Sequence, residues 1–162
     1  MKDVTITLKK DEILYDIENT TYLVGNSRST GDNFEQVSNM QNSGEGEDRN
    51  FVLRSVETAF AEVKRILSRY INDEMTEVNN ELMLATGDFV ITLNVVDVFN
   101  ESATESLKGA AHEYIISSAL MDWFANVKPD EMTIYQTRKQ EAAVNLLASL
   151  YRKKAPARPE SE

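Results

Sequence analysis

Residues 102–154 constrain the fold more than any other part of the chain, because they carry one nearly unbroken helical pattern. Ser102 is followed three positions later by Glu105, a capping-box spacing that starts a helix. Val127-Lys128-Pro129 interrupts the pattern, and Pro129 suits a first helical turn, where its missing N–H costs nothing. The pattern predicts two helices, 102–126 and 129–154. A connection this short makes them antiparallel neighbours. At 1.5 Å per residue each arm is about 37 Å long.

In the first arm Leu107, Ala111, Tyr114, Ser118, Met121 and Phe124 form one stripe. Ile115, Ile116, Ala119, Leu120 and Trp123 fall outside it and widen the apolar surface to over half the circumference. A helix apolar on most sides is buried among several neighbours, so this is the expected central helix. The second arm has Met132, Tyr135, Ala142, Leu146 and Ser149, with Ala143, Leu147 and Leu150 beside them. Thr137, Lys139 and Glu141 form its polar back, so one side is dry and the other wet or partner-facing.

The full chain of 162 residues suits one domain with a modest core. No apolar run approaches the roughly 18 residues that a membrane span needs. Met1-Lys2-Asp3 leads into a polar stretch without a secretory signal pattern. There are no cysteines, so disulfides, thiolate metal sites and cysteine nucleophiles are excluded. A cytosolic origin is expected. The net charge of −10 is uneven. Residues 151–162 hold Arg152, Lys153, Lys154 and Arg158 against Glu160 and Glu162, so +4 − 2 = +2 there and −10 − 2 = −12 elsewhere. Such acidity is ordinary for a soluble protein, and a body this acidic repels duplex DNA.

Toward the N-terminus, Val4, Ile6 and Leu8 alternate with Thr5, Thr7 and Lys9, which predicts a half-buried strand. Ile13, Leu14, Ile17, Thr21 and Val24 follow at helical spacing, with Gly25 as the expected helix stop. Residues 25–50 then hold only three large apolar residues, Phe34, Val37 and Met40, three apart, which would line one side of a helical turn. A loop of that length is either disordered or committed to a partner. Ordering it costs about 1–2 kcal/mol per residue, and contacts with neighbouring subunits are the expected offset. Val56, Phe60, Val63, Leu67 and Tyr70 predict a helix over 51–71, and Glu45, Glu47 and Asp48 suit the positive end of its dipole. Residues 81–84 and 89–96 are expected to form a hairpin around Ala85-Thr86-Gly87-Asp88. Pro156 and Pro159 keep the end of the chain from being helical.

The fold class that follows is mainly α: a helical bundle built on a long antiparallel pair, with a small β-hairpin and an N-terminal strand. Residues 1–154 form the expected single domain, with 25–50 as an inserted loop and 155–162 as an extended tail.

Catalytic chemistry finds no candidate. His112-Glu113 begins like a zincin helix, but Ile116 stands where the second histidine belongs. Serine never occurs in a Gly-x-Ser-x-Gly elbow. Gly25 to Gly31 lacks the Lys-Ser/Thr ending of a P-loop and follows a helix, and Gly44-Glu45-Gly46-Glu47-Asp48 is too acidic for phosphate. The acidic spacing does not match a calcium loop. Neither enzymatic activity nor a cofactor is expected.

The order strand, helix, long loop, helix, hairpin, long helix, helix resembles the small neck proteins of tailed bacteriophages. The segment Leu107-x-x-Ala-Ala-His-Glu-Tyr-Ile-x-x-x-x-Leu-x-Asp-Trp-Phe is similar in pattern to head-tail connector or adaptor proteins. So are Tyr135 and Leu146-Leu147-x-x-Leu-Tyr-Arg-Lys-Lys-Ala-Pro. The likeness covers the last third of the chain and rests on pattern, with no invariant motif. It implies a virion protein assembled in the host cytoplasm as a homo-oligomeric ring in the neck, twelve-fold in many such adaptors. DNA would slide through that ring without specific contacts, and portal, tail and neck proteins would be its partners. The partner-binding residues expected are Phe34, Val37 and Met40 in the loop and Arg152, Lys153, Lys154 and Arg158 in the tail. The competing class is a soluble, non-enzymatic binding module such as an assembly chaperone or small regulator.

Overall fold

The computed structural model describes residues 1–76 and 87–151. In chain order its elements are β1 (Lys2–Leu8), α1 (Lys10–Ser27), α2 (Phe34–Met40), α3 (Gly46–Ile66), β2 (Phe89–Val95), α4 (Ala103–Val127) and α5 (Met132–Leu150). A 3-10 turn over Pro129–Glu131 joins the last two. The fold is mainly α with a small antiparallel sheet, as the pattern predicts.

The breadth of the apolar surface on α4 decides the architecture. Leu107, Ala111, Tyr114, Ile115, Ala119, Leu120, Trp123 and Phe124 are all buried, although they point in several directions around the helix. Accordingly α5, α3, α1, α2 and β1 all pack against α4. The helix α5 lies antiparallel to it, and the Phe124 and Tyr135 rings stack 5.3 Å apart near the connecting turn. Ser102 does not cap α4 with its side chain. Instead the Asn100 carboxamide oxygen accepts from the Ser102 amide at 3.1 Å and from its hydroxyl at 2.7 Å.

The sheet pairs β1 with β2 in an unbroken antiparallel register from Lys2↔Val95 to Leu8↔Phe89. Val4, Ile6 and Leu8 join Phe89, Ile91, Leu93 and Val95 in the core, which is why alternation in the sequence was informative. On its other side β2 is bordered by 70–72. The Asn94 amide donates to the Tyr70 carbonyl at 2.6 Å, and the Asn72 amide to that of Thr92 at 2.9 Å. The strand beside β2 on its outer flank is thus β1; the expected hairpin partner, 81–84, lies outside the described residues.

The expected loop 25–50 is corrected. α1 runs through to Ser27, α2 occupies Phe34–Met40, and α3 starts at Gly46, five residues before the predicted position. Gly25 is not the helix stop either: it sits inside α1, where the Gln41 side chain approaches to 2.7 Å of the place a Cβ would occupy. Contacts within the chain offset part of the ordering cost. The Asn42 amide donates to Thr21 Oγ1 at 2.9 Å, and Gln41 Nε2 to the Tyr22 carbonyl at 3.1 Å. Asn33 bridges the Arg28 carbonyl and the Thr30 amide. Gly44 turns with φ +70° directly against the Glu18 carboxylate, where any side chain would collide.

The strongest tie of this segment is Trp123, whose indole N–H donates to the Met40 carbonyl at 2.8 Å in a buried site. Trp123→Phe would keep an aromatic ring near Phe51, 5.9 Å away, but leave that carbonyl unpaired. The expected loss is about 1–3 kcal/mol in denaturant unfolding, with raised amide exchange confined first to 34–45.

Candidate interaction surfaces

Among the described residues no group of three or more His, Asp or Glu side chains is placed to hold a metal ion. His112 faces α1, with Nε2 3.2 Å from Asp16 Oδ2 but outside hydrogen-bond alignment. Asp11, Glu12 and Tyr15 surround the pair in a shallow acidic depression.

The most connected polar group lies between α3, α4 and α5. Tyr114 donates its hydroxyl to Glu62 Oε2, and Lys139 Nζ meets the same oxygen at 3.1 Å while resting 5.3 Å over the Tyr114 ring. Lys139 therefore leaves the polar back predicted for α5 and ties that helix to α3. Burial pushes the Glu62 carboxyl up, but the bonds from Tyr114 and Lys139 outweigh it and hold the group below its ordinary value. Burial also raises Asp122, against the opposing bond to Ser55. The Tyr114 hydroxyl is pushed up by burial and by Glu62. Because these side chains satisfy one another, the cluster acts as a joint between helices.

The expected interface residues fare differently. Phe34 is 74% exposed, Val37 half-buried and Met40 only 4% exposed. Met40 belongs to this chain's own core, which corrects its assignment to a partner. The reason is geometric: a step of three advances about 300°, so residues 34 and 40 end up about 120° apart on the helix. Arg152, Lys153, Lys154 and Arg158 lie outside the described residues.

Two further apolar patches escaped the sequence reading. On α1, Tyr15, Tyr22 and Leu23 are exposed, out of phase with the buried Ile13, Leu14, Ile17 and Thr21. On α5, Val144 is 67% exposed, with Leu147 and the following Tyr151 on the same face at steps of three and four. The signal was present: Leu147 and Val144 fall outside the stripe of Tyr135, Ala142, Leu146 and Ser149. The patches lie on different helices, with Tyr15 of the α1 patch beside His112, midway along α4. Arg28, at the end of α1, forks onto Glu131 at 2.6 and 3.1 Å beside the C-terminal end of α4. Ser149 instead faces Ser106, near the N-terminal end of α4, across a groove of about 620 Å³ between α4 and α5. Gly109, Ala110 and Ala142 keep that groove open.

No protein-family model, curated protein or solved structure matches this chain.

The polar joint gives a pH signature. Glu62 is depressed, so its stabilisation is complete above the ordinary glutamate value of 4.5 and is lost as pH falls through the depressed one. Asp122 is raised, so its burial penalty is present at neutral pH and relieved as pH falls through its raised value. Glu62→Gln is expected to lower the thermal midpoint at pH 7 and flatten the acid limb below about 4.5. Asp122→Asn is expected to raise the midpoint at pH 7 and to give no gain in acid. Thermal melts across pH 3–7 check both signs.

Proposed function

We propose that this chain is a structural subunit that assembles head to tail into a ring, as a head-tail connector or adaptor of a phage neck. The observation that carries the reading is the pair of unlike apolar patches on different helices, Tyr15, Tyr22 and Leu23 on α1 and Val144, Leu147 and Tyr151 on and just after α5. An isologous dimer uses the same patch twice, whereas a ring needs two different surfaces that meet. Exposed large apolar side chains grouped on a small acidic body are a mark of association. Among the described residues no helix is long and apolar enough to cross a membrane.

The acidity suits a lumen through which DNA slides, since like charge repels the duplex without holding it. Phe34, exposed on α2, supplies a further anchor beside the ring contact. The tail from Arg152 to Arg158 brings four positive charges, with Pro156 inside it and Pro159 just beyond, and it docks on an acidic surface of the portal or the next subunit. The prolines restrict its conformations and lower the entropy lost on docking. Neck location, portal contact and twelve-fold stoichiometry come with the resemblance to connectors.

Native mass spectrometry with and without portal tests the proposal. Val144→Asp and Leu147→Asp, which place charge on an exposed face, are expected to prevent ring formation while leaving helix content unchanged. Truncation after Tyr151 is expected to abolish docking on portal, and raised salt to weaken docking of the intact chain. A chain that stays monomeric or dimeric with portal present is a soluble binding module, and the ring reading then fails.

A further inference from the structure

The outer edge of β1 carries a second surface. Thr92 gives its carbonyl to Asn72 and its amide to Thr76 Oγ1 at 3.4 Å, and Asn94 gives its amide to Tyr70. These groups of β2 point away from β1. Thr5, opposite Thr92, and Asp3, opposite Asn94, are therefore in non-hydrogen-bonded pairs, and alternation puts Thr7 in the same state. The backbone N–H and C=O groups of Asp3, Thr5 and Thr7 consequently face outward. Among the described residues none of these groups has a backbone partner outside the sheet.

The side chains of Asp3, Thr5 and Thr7 are exposed as well, and the register runs over seven residues without a bulge. The strand contains neither proline nor glycine, and only Val4, Ile6 and Leu8 point inward. Proteins usually blunt such an edge with proline, a bulge or an inward charge. Here the only charges are near the ends, Lys2 and Asp3 at one and Lys9 at the other.

We propose that this edge pairs with β1 of a second copy, antiparallel and centred on Ile6. Pairing the outward groups requires an even register, because a one-residue slip would set the outward amides and carbonyls of one copy opposite the inward-turned ones of Val4, Ile6 and Leu8 in the other. Among even registers, the one centred on Ile6 sets Asp3 opposite Lys9 of the second copy, and Lys9 opposite its Asp3. Thr5 then lies opposite Thr7 of the second copy, and the outward amides and carbonyls exchange hydrogen bonds in both pairs. Centring on Thr5 sets Asp3 against Thr7, and centring on Thr7 leaves Asp3 with no opposite residue in the strand. Charge complementarity thus selects the register and a copy of the same strand as occupant. The contact is two-fold, separate from the patches on α1 and α5, and forms the pair in which the free chain exists.

Sedimentation equilibrium of the full chain without portal tests this. The expected mass is twice 18.3 kDa, about 37 kDa, falling toward the single chain on dilution. Thr5→Pro removes an outward N–H that the β1–β2 ladder does not use, and is expected to weaken pairing by roughly tenfold or more. Asp3→Lys is expected to weaken it too, and the double variant D3K/K9D to restore it. Thr5 and Thr7 amides are expected to exchange more slowly as concentration rises, and Val144→Asp to leave the pair intact. A monomer throughout the concentration series overturns the proposal, as does a dimer indifferent to both Thr5→Pro and Asp3→Lys. Protection of these amides only after portal is added overturns it as well, and assigns the edge to portal.

Discussion

The burial of α4 on nearly every side is the constraint on which the rest of the structure depends. Few helices in a chain of this length can be dry all round, since enough neighbours must be found to cover them. Covering α4 takes α5 along one side, α3 along another, and α1, α2 and β1 over the remainder. Trp123 shows how tightly the cover is specified. Its ring fills space beside Phe51, and its N–H satisfies a carbonyl of the short helix α2. A buried indole N–H needs such a partner, so the segment around Met40 is as much a consequence of Trp123 as of its own sequence.

Periodicity foretold the parts of the fold in which one residue type repeats. The stripes of α3 and α4, the antiparallel connection at Pro129 and the alternation in β1 and β2 all depend on burying apolar area in phase with the backbone. What periodicity missed is held by short polar side chains at single positions. Asn33, Asn42 and Thr21 supply the backbone partners that make 28–45 an ordered part of this chain, and such contacts leave no repeating trace in sequence. Gly25 misled for a related reason: its value is the space it leaves for Gln41, which only the folded chain reveals. The residues expected at an interface divide likewise. Phe34 is exposed as expected, Met40 is not, and the out-of-phase Tyr22 and Val144 were hidden behind the dominant stripe of each helix.

Charge is distributed by the same logic. Lys10 meets Glu57 at 3.1 Å in a nearly dry site, Lys139 meets Glu62, and Arg28 forks onto Glu131. Each of these cations joins two elements distant in sequence. Three cations of the body are committed to these internal joints, while many carboxylates, such as Asp11, Glu12, Glu47 and Glu105, remain exposed. Each joint takes up one cation and one carboxylate, so the net acidity of the surface is left as the sequence sets it.

The symmetry of the two proposed association surfaces sets a further condition. The proposed head-to-tail contacts through the patches on α1 and α5 would close into a ring, whereas the proposed strand pair about Ile6 is two-fold. Both cannot be satisfied within a single layer of subunits. The proposed strand pair would then belong to the free chain, where it would cover an edge otherwise open to unrelated strands. Entry into the proposed ring would uncover that edge on every subunit. The cost of losing the backbone bonds would be offset only if the apolar patches were covered at the same time, so the proposed ring closure and edge exposure would be coupled. Assembly would then respond steeply to subunit concentration and to the presence of a template, because an isolated head-to-tail contact must compete with an intact strand pair.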